Sequence, residues 1–309
     1  MSKLIITLDS SQLKSYMTCS QQWCMNYIEN YQLHYTKTVY LDRGSFVHKI
    51  LEVFYILRAL NPNEDRFKTQ RTVIELWKKG KLFRESGLSK DDEKFICERF
   101  VQYVMTYISN DFIPQIRNGI PGVEIGFSKV LYEGHDFIYI VEGKIDLISK
   151  TNHPKPFDCF IDNKSQERLK ELYPFKPQFL TYAWATGFKW GIINYFRLQQ
   201  KYDAEITFRR KLIYFETWQI EKWKEVMLKI FKAIHEVMYI NEIDDMNKLR
   251  PEMFEQNLNS CSGAHESFPC QFAMVCENPG QEEGIKKVYY NKREKWSPWK
   301  DSEFDLVED

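Results

Sequence analysis

Residues 141–164 form the stretch that most constrains what this chain can become. An apolar, β-branched run at residues 141–148 is followed by a second such run at residues 157–161. Polar and proline positions at residues 152–154 favour a turn between the runs. The stretch is therefore predicted to form a β-hairpin of two adjacent antiparallel strands.

Three charged residues on this hairpin indicate metal chemistry. Asp146 lies late in the first strand, and Asp162 and Lys164 lie at the end of the second, two residues apart and so on one face. Two carboxylates on adjacent strands can hold a hard divalent cation that keeps open positions for water and phosphate oxygens. A neighbouring ammonium can orient the attacking water and offset charge developing on phosphate. A surface hairpin with a solvated end has the same pattern, so the interpretation depends on the rest of the chain.

The charge balance excludes little by itself. The 309 residues include 43 basic and 43 acidic side chains, so any nucleic-acid site must be a local basic patch. The chain is long enough for a substantial core. No apolar run approaches membrane-spanning length, and the first one, residues 4–8, is too short for a signal peptide. We therefore expect a cytoplasmic protein.

The seven cysteines are not expected to form disulfides in a reducing compartment. Three of them, Cys261, Cys270 and Cys276, crowd into the last fifth of the chain, which indicates a metal site. The cysteines interpreted as ordinary buried thiols are Cys24, Cys97 and Cys159.

Hydrophobic periodicity predicts an α/β fold, with a mixed sheet flanked by helices and interrupted by a helical insertion. Helices are predicted from Ser10, from Gly44 and over residues 66–83, 90–110, 178–185 and 220–239. Strands are predicted over residues 123–132, 136–148, 191–198 and 204–215, in addition to the hairpin. We predict a single domain over residues 1–309, with an insertion at 61–120, a core at 121–215, a helix and cysteine segment at 216–280 and a tail at 281–309.

Five short motifs, in order, resemble those of one nuclease family. They read S-S-Q-L-K-S-Y-M-T-C-S from Ser10, G-S-F-V-H from Gly44, G-K-I-D from Gly143, I-D-N-K from Ile161 and Q-F-L-T-Y from Gln178. The chain resembles a PD-(D/E)xK superfamily nuclease of the RecB and AddB type that carries an iron–sulfur cluster, like the CRISPR-associated exonucleases and many phage nucleases. The resemblance implies a restriction-endonuclease-like fold.

The resemblance also implies roles for individual residues. The residues implied to bind Mg²⁺ or Mn²⁺ are His48, Asp146, Asp162 and the backbone carbonyl of Asn163. Lys164 is the implied catalytic lysine, and Gln178 and Tyr182 are implied to face the active site and DNA. A histidine among the ligands favours Mn²⁺ over Mg²⁺, because imidazole is the softer ligand.

The cysteines implied to hold a [4Fe–4S] cluster are Cys19, Cys261, Cys270 and Cys276. The chain departs from the family at Ser20, where proline is usual, and at Ser267, where the family often has a cysteine. Cys261 is the nearby substitute, and Cys24 is the alternative ligand should Cys261 fail. Zn²⁺ takes four cysteines equally well, so the residues alone leave the metal open. A cluster at these positions would join distant parts of the chain, and we expect its removal to unfold the ends.

The expected function is hydrolysis of DNA phosphodiester bonds by an exonuclease that acts on single strands or ends, and endonuclease activity is left open. The residues expected to contact phosphates are Arg168, Lys170, Lys176, Arg209, Arg210 and Lys211, and Tyr182 could stack on unpaired bases. No G-x-x-x-x-G-K-[ST] motor motif occurs, so unwinding would come from a helicase, recombination or CRISPR partner. The alternative is a catalytically silent DNA-binding or scaffold protein with the same fold.

Overall fold

The structure is a computed structural model, and it describes most of the chain. The described residues are 3–34, 39–82, 87–109, 111–151, 155–166, 175–198, 207–261 and 270–299.

Helices and strands alternate along these residues. The α-helices are α1 Ser10–Thr18, α2 Ser20–Trp23, α3 Val39–Leu60, α4 Arg66–Lys78, α5 Lys90–Thr106, α6 Pro177–Thr186, α7 Thr217–Ile240, α8 Leu258–Cys261, α9 Ala273–Cys276 and α10 Glu282–Tyr289. The strands are β1 Leu4–Asp9, β2 Tyr31–Leu33, β3 Ile113–Pro114, β4 Ile116–Arg117, β5 Ile120–Pro121, β6 Val123–Glu133, β7 Phe137–Lys150, β8 Asp158–Gln166, β9 Trp190–Arg197, β10 Phe208–Tyr214 and β11 Tyr290–Lys292. A π-helix, Cys24–Ile28, continues α2, and short 3₁₀-helices lie at Met246–Lys248 and Pro251–Met253.

The contacts divide the chain into two compact units. Unit 1 comprises Met1–Thr36, Phe127–Gly143 and Thr217–Asp309, and unit 2 comprises Lys37–Gly126 and Lys144–Glu216. Both units are therefore built from separated stretches of sequence. The prediction of a single domain over residues 1–309 stays a prediction.

Unit 2 has a mixed sheet at its centre. β8 pairs antiparallel with the end of β7 and parallel with β9, and β9 pairs antiparallel with β10. Helices α3, α4 and α5 contact one another, α3 also contacts β8, and α6 contacts β8 and β9. Large buried rings fill the space between, with Phe54 against Phe100 at 5.4 Å between centroids. The strands of unit 2 thus pack against a well-filled apolar core.

Unit 1 contains a parallel pair of strands. It also contains a small hydrophobic core beside two of its cysteines. β1 pairs parallel with residues 137–142 of β7, and Tyr139 stacks on Phe231 of α7 with 4.9 Å between centroids. β2 pairs antiparallel with β11. This small core contains Met25, Phe272, Val275 and Tyr290, with Cys270 and Cys276 packed against it.

The predicted α/β class is confirmed, because the sheet mixes parallel and antiparallel pairs and helices flank it. The predicted hairpin strands pair as expected, whereas the positions 152–154 assigned to its turn lie outside the described residues. No helix in the described ranges is both long and apolar enough to cross a membrane.

One predicted helix start is confirmed and another was wrong. The helix predicted from Ser10 begins there, and its cap is Asp9, whose Oδ1 accepts from the backbone N–H groups of Ser11 at 2.6 Å and Gln12 at 2.8 Å. The helix predicted from Gly44 begins earlier, at Val39, and Asp42 lies in its first turn, where a negative charge complements the helix dipole.

Candidate active site

Strands β7 and β8 bring the predicted acidic residues together within unit 2. Asp162 is fully buried and Asp146 is 9% exposed. The backbone N–H of Asn163, next to Asp162, donates to Asp146 Oδ2 at 2.6 Å. Leu147 and Ile161, the residues next to the two carboxylates, lie opposite each other in the pairing of β7 with β8. Backbone pairing therefore brings the two carboxylates to the same end of the paired strands.

Asp146 also belongs to a compact group of possible metal ligands. One ligand atom each from His48, Glu124 and Asp146 lie within 4.8 Å of one another. His48 Nδ1 is 3.5 Å from Asp146 Oδ2 and 3.9 Å from Glu124 Oε1. Helix α3, strand β6 and strand β7 each supply one of the three side chains. Imidazole and carboxylate groups at this spacing suit a transition metal or a hard divalent cation.

Glu124 is the member of this group that the sequence reasoning did not select. Its φ is 50°, a left-handed conformation that residues other than glycine rarely adopt. Lys144 Nζ lies 3.0 Å from Glu124 Oε2 and neutralises its charge. Backbone strain of this kind persists where the surroundings hold it and often marks a functional site. The available sequence signal was an acidic residue at the second position of the predicted strand.

Mutual repulsion and burial shift the pKa values at this group. Burial raises the pKa of Asp146 to about 7, with His48 opposing the rise and Asp162 adding to it. Burial acts to lower the pKa of His48, but Asp146 and the hydrogen bond with Glu124 outweigh it and raise that pKa to about 9. Burial also opposes ionisation of Glu124, yet His48 and Lys144 bring its pKa below the ordinary value. A bound cation would relieve the repulsion between these carboxylates.

Lys164 lies on the same strand as Asp162 and contacts it directly. Its Nζ is 2.9 Å from Asp162 Oδ1 and 2.8 Å from Oδ2. Burial acts to lower the pKa of Lys164, but Asp162 and Asp146 raise it, so the side chain is a cation at neutral pH. The ammonium is thus held where it can contact a phosphate or water beside Asp162.

Gln178 and Tyr182 lie one turn apart on α6 and support the acidic strands. Gln178 Nε2 donates to Asp162 Oδ1 at 3.0 Å and to the Tyr182 hydroxyl at 2.9 Å. The Tyr182 hydroxyl in turn donates to the carbonyl of Lys144 at 2.6 Å. Burial raises the pKa of Tyr182 well above its ordinary value, so the hydroxyl remains a donor. These two residues therefore connect β7 and β8 beside the carboxylates.

Two expectations about DNA contacts were wrong, and two others concern residues outside the described ranges. Tyr182 is only 5% exposed and packs edge-on against Phe160, so it does not offer a face for base stacking as predicted. Arg210 is turned inward and ion-paired with Asp111 at 3.0 Å, so the prediction that it contacts phosphate was wrong. Arg168 and Lys170 lie outside the described residues.

The four predicted cluster cysteines all belong to unit 1. Burial, with repulsion from Cys261, Cys270 and Cys19, raises the pKa of Cys276 to about 12. Burial likewise raises the pKa of Cys270, with added repulsion from Cys261 and Cys19. These two groups are therefore neutral thiols at neutral pH, and a bound cation would favour their thiolate forms.

Several N–H groups approach these sulfurs. The backbone N–H groups of Gln22 and Asn257 each lie 3.5 Å from Cys19 Sγ, and Gln256 Nε2 lies 3.3 Å from Cys261 Sγ. Hydrogen bonds to ligand sulfurs stabilise thiolates and tune iron–sulfur centres. Cys24, Cys97 and Cys159 are buried, as predicted.

A mixed α/β core with paired carboxylates and a lysine on adjacent strands defines a restriction-endonuclease-like protein. The chain belongs to the PD-(D/E)XK nuclease superfamily, whose family model matches residues 8–277. No curated protein matches the chain.

Two solved structures are similar over part of the chain. The crystal structure of SSO0001 is 12% identical, with a TM-score of 0.27, and the match covers 62% of this chain and 80% of that one. The crystal structure of LHK-Exo in complex with dAMP is 10% identical, with a TM-score of 0.31, covering 63% of this chain and 90% of that one.

Proposed function

We propose that this nuclease is a divalent-metal-dependent deoxyribonuclease that degrades single-stranded DNA or DNA with free ends. The observation that carries the proposal is the convergence of His48, Glu124 and Asp146, with Lys164 held against Asp162 close by. Membership of the nuclease superfamily supports phosphodiester hydrolysis as the reaction.

The donor set fits Mg²⁺ or Mn²⁺. Asp146, Asp162, His48 and the backbone carbonyl of Asn163 are the proposed ligands, and Glu124 joins them on the strength of its position. Oxygen ligands suit both ions, and the imidazole favours Mn²⁺. When bound, the metal would lower the pKa of a water molecule and stabilise negative charge on the phosphate.

The surrounding residues hold this arrangement and supply charge. Lys164 places an ammonium beside Asp162, where it can orient the attacking water and stabilise charge on the phosphate oxygens. Gln178 orients Asp162 through its hydrogen bond, and Tyr182 holds Gln178 and the Lys144 carbonyl. Lys144 keeps Glu124 ionised and turned toward His48.

The finer assignments extend the proposal. Arg168 and Lys170 follow Lys164 closely in sequence, so we assign them phosphate contacts with the DNA backbone. Because the sequence has no motor motif, a helicase or a recombination or CRISPR protein is the proposed partner for work on duplex DNA.

Cys19, Cys261, Cys270 and Cys276 form the proposed [4Fe–4S] site. Their mutual influence on pKa and the N–H groups near Cys19 and Cys261 support a shared inorganic centre. The role proposed for the cluster is structural.

The nuclease half is tested by digestion of end-labelled single-stranded DNA with Mn²⁺ or Mg²⁺. Asp162→Asn and Lys164→Met should each reduce the rate by about 100-fold or more. Asp158→Asn, an exposed carboxylate on the same strand, is the matched control and should retain the wild-type rate. Wild-type protein that bound DNA and cut nothing with either metal would favour the scaffold function instead.

The cluster half is tested by anaerobic purification with assays for iron, sulfide and zinc. We expect a brown protein with iron and sulfide in equal amounts, close to four of each per chain for a [4Fe–4S] centre. A colourless protein with one zinc per chain would replace the cluster and leave the nuclease proposal standing.

A further inference from the structure

A row of buried polar side chains crosses three strands of unit 2 on the face away from Asp162 and Lys164. Asn163 of β8 lies opposite Asn194 of β9, and Asn194 lies opposite Arg210 of β10. Asn194 Nδ2 donates to Asn163 Oδ1 at 2.7 Å and to the Tyr103 hydroxyl at 3.0 Å. We call Asn163, Asn194, Tyr103, Arg210 and Asp111 the buried ladder.

The far end of the buried ladder is firmly anchored. Arg210 Nη2 donates to the Tyr103 hydroxyl at 2.9 Å and to Asp111 Oδ1 at 3.0 Å. The rings of Tyr107 and Phe112 lie 3.6 Å and 3.7 Å from the guanidinium carbon. This contact leaves the guanidinium little room to move.

Asp111 is itself held by two further helices. The Tyr55 hydroxyl of α3 donates to Asp111 Oδ1 at 2.9 Å, and Arg66 Nη2 of α4 lies 2.5 Å from Asp111 Oδ2. Tyr55 also lies within hydrogen-bond distance of the Tyr103 hydroxyl, at 2.8 Å. The ladder thus ends in a network shared by three helices and one strand.

The near end of the buried ladder reaches the candidate metal site through one peptide. Asn163 is 3% exposed and sits between Asp162 and Lys164, with its side chain on the opposite face of β8. Its backbone N–H donates to Asp146 Oδ2 at 2.6 Å. A hydrogen bond to the Asn163 side chain therefore fixes the peptide that orients the Asp146 carboxylate.

We propose that Asn194, tied through Tyr103 to Arg210 and Asp111, is a positioning residue for divalent metal binding. This inference rests on the proposed metal site. Asn194 holds the Asn163 side chain by a hydrogen bond. It thereby fixes the position of the Asn163 backbone N–H, which donates to Asp146, and of the Asn163 backbone carbonyl, which is a proposed metal ligand. Residues that orient metal ligands from behind typically change metal affinity or activity by about 10- to 100-fold when they are removed.

The chemistry of the buried ladder favours this role over simple stabilisation. Buried charges and amides are costly to desolvate, and apolar residues of similar volume often serve a core as well or better. The neighbouring positions on β9, Ile193 and Tyr195, show that this strand otherwise carries large hydrophobic side chains. Asn194 makes two directed hydrogen bonds instead of apolar packing contacts. One of these bonds is accepted by Asn163, the residue between Asp162 and Lys164.

The test compares Mn²⁺ binding to metal-free wild-type protein, Asn194→Leu and Tyr103→Phe by isothermal titration. Asn194→Leu should raise the dissociation constant for Mn²⁺ about 10-fold. Tyr103→Phe removes one oxygen of the buried ladder and should raise it by a smaller factor in the same direction. In DNA digestion at saturating Mn²⁺, both variants should have a lower kcat than wild type. The KM for DNA should be unchanged, because neither residue contacts DNA in this arrangement.

Thr69→Val is the matched control for loss of a buried hydrogen bond. Thr69 is fully buried on α4, and its hydroxyl donates to Glu64 Oε2 at 3.1 Å, outside the buried ladder. This variant should lower the urea midpoint and leave Mn²⁺ affinity at the wild-type value.

Two outcomes would overturn the inference, and they are distinguishable. If wild type and both ladder variants bound Mn²⁺ equally well while their urea midpoints fell like that of Thr69→Val, the ladder would be purely structural and the nuclease proposal would stand. If wild-type protein bound no Mn²⁺, both proposals would fail together. Should Asn194→Leu not fold, Tyr103→Phe decides between these outcomes, because Phe keeps the ring and its packing.

Discussion

Glu124 shows how a single residue can carry both a cost and a function. Its left-handed backbone conformation costs about 1–2 kcal/mol for a residue with a side chain. The strain is retained at the residue whose carboxylate lies 3.9 Å from His48 Nδ1 and 3.0 Å from Lys144 Nζ. A conformation that glycine would adopt at little cost is thus occupied by a potential metal ligand.

A matched pair of substitutions separates the cost from the function. Glu124→Gly and Glu124→Ala both remove the carboxylate and should both weaken Mn²⁺ binding. Glycine relieves the strain but loses about 0.5–1 kcal/mol of chain entropy, so Glu124→Gly should be more stable than Glu124→Ala by about 0.5–1 kcal/mol. Urea unfolding of the two variants measures this difference. Equal stabilities would show that the backbone is relaxed at this position.

The paired titration of His48 and Asp146 predicts how metal-free protein responds to pH. Both pKa values lie above their ordinary values in the folded state, at about 9 and about 7. The folded protein therefore binds more protons than the unfolded chain, and the stability these groups contribute is present at low pH and lost as pH rises through 7 and 9.

In the presence of a chelator, the free energy of unfolding should therefore fall between pH 6 and pH 9. His48→Gln removes the upper titration and should flatten the decline above pH 7. Urea unfolding at intervals across this range measures the slope. A stability that rose with pH over the same interval, in wild-type protein, would contradict the assigned directions.

At the scale of elements, the cysteine segment does not depend on a cluster alone. β2 and β11 pair, and Lys286 of α10 contacts Glu29 at 2.8 Å. Phe272 stacks on Tyr290 with 5.3 Å between ring centroids. These contacts join early and late parts of unit 1 without any metal. Loss of a cluster is thus expected to loosen this region more than to detach it, which moderates the sequence-based expectation that the ends unfold.

Cys276→Ser tests that expectation, with Cys97→Ser as the control because Cys97 is a buried thiol on α5 of unit 2. Cys276→Ser should lose most of its iron and become more susceptible to limited proteolysis around α8 and α9. Cys97→Ser should keep its iron. Full iron content in Cys276→Ser would remove Cys276 from the ligand set and reopen the case for Cys24.

The elements that sequence predicted best were those with an internal pattern. The hairpin strands, α6 and α7 have clear periodicity, and Asp146, Asp162 and Lys164 follow from the hairpin register. Strand β1 was not predicted, because a single six-residue run has too little alternation between polar and apolar residues to indicate a strand. Glu124 and the buried ladder depend on contacts between distant positions, which a single sequence does not display. The inward turn of Arg210 belongs to the same class, since its partner Asp111 lies far away in sequence.

At the scale of the whole molecule, metal binding and folding are linked. A ligand that binds the folded state alone stabilises it by about 2.7 kcal/mol at 100 times its dissociation constant. Wild-type protein should therefore melt at a higher temperature with excess Mn²⁺, and a chelator should reverse the shift. Asp146→Asn should show a much smaller shift, while the exposed-site variant Asp158→Asn should match wild type. An equal shift in Asp146→Asn would place the bound ion elsewhere.

The division of the chain into units has a consequence for how the protein is made. The chain passes from unit 1 to unit 2 and back twice, and the partner of β2 is not reached until Tyr290–Lys292. On the ribosome, the segments of unit 2 are complete once Glu216 has emerged, whereas unit 1 must wait until Tyr290–Lys292 have been synthesised. At about 5–20 residues per second, Cys19 stays without the other proposed cluster ligands for about 10–50 s. Nascent chains of this protein are therefore expected to need protection of that thiol until Cys276 has been synthesised.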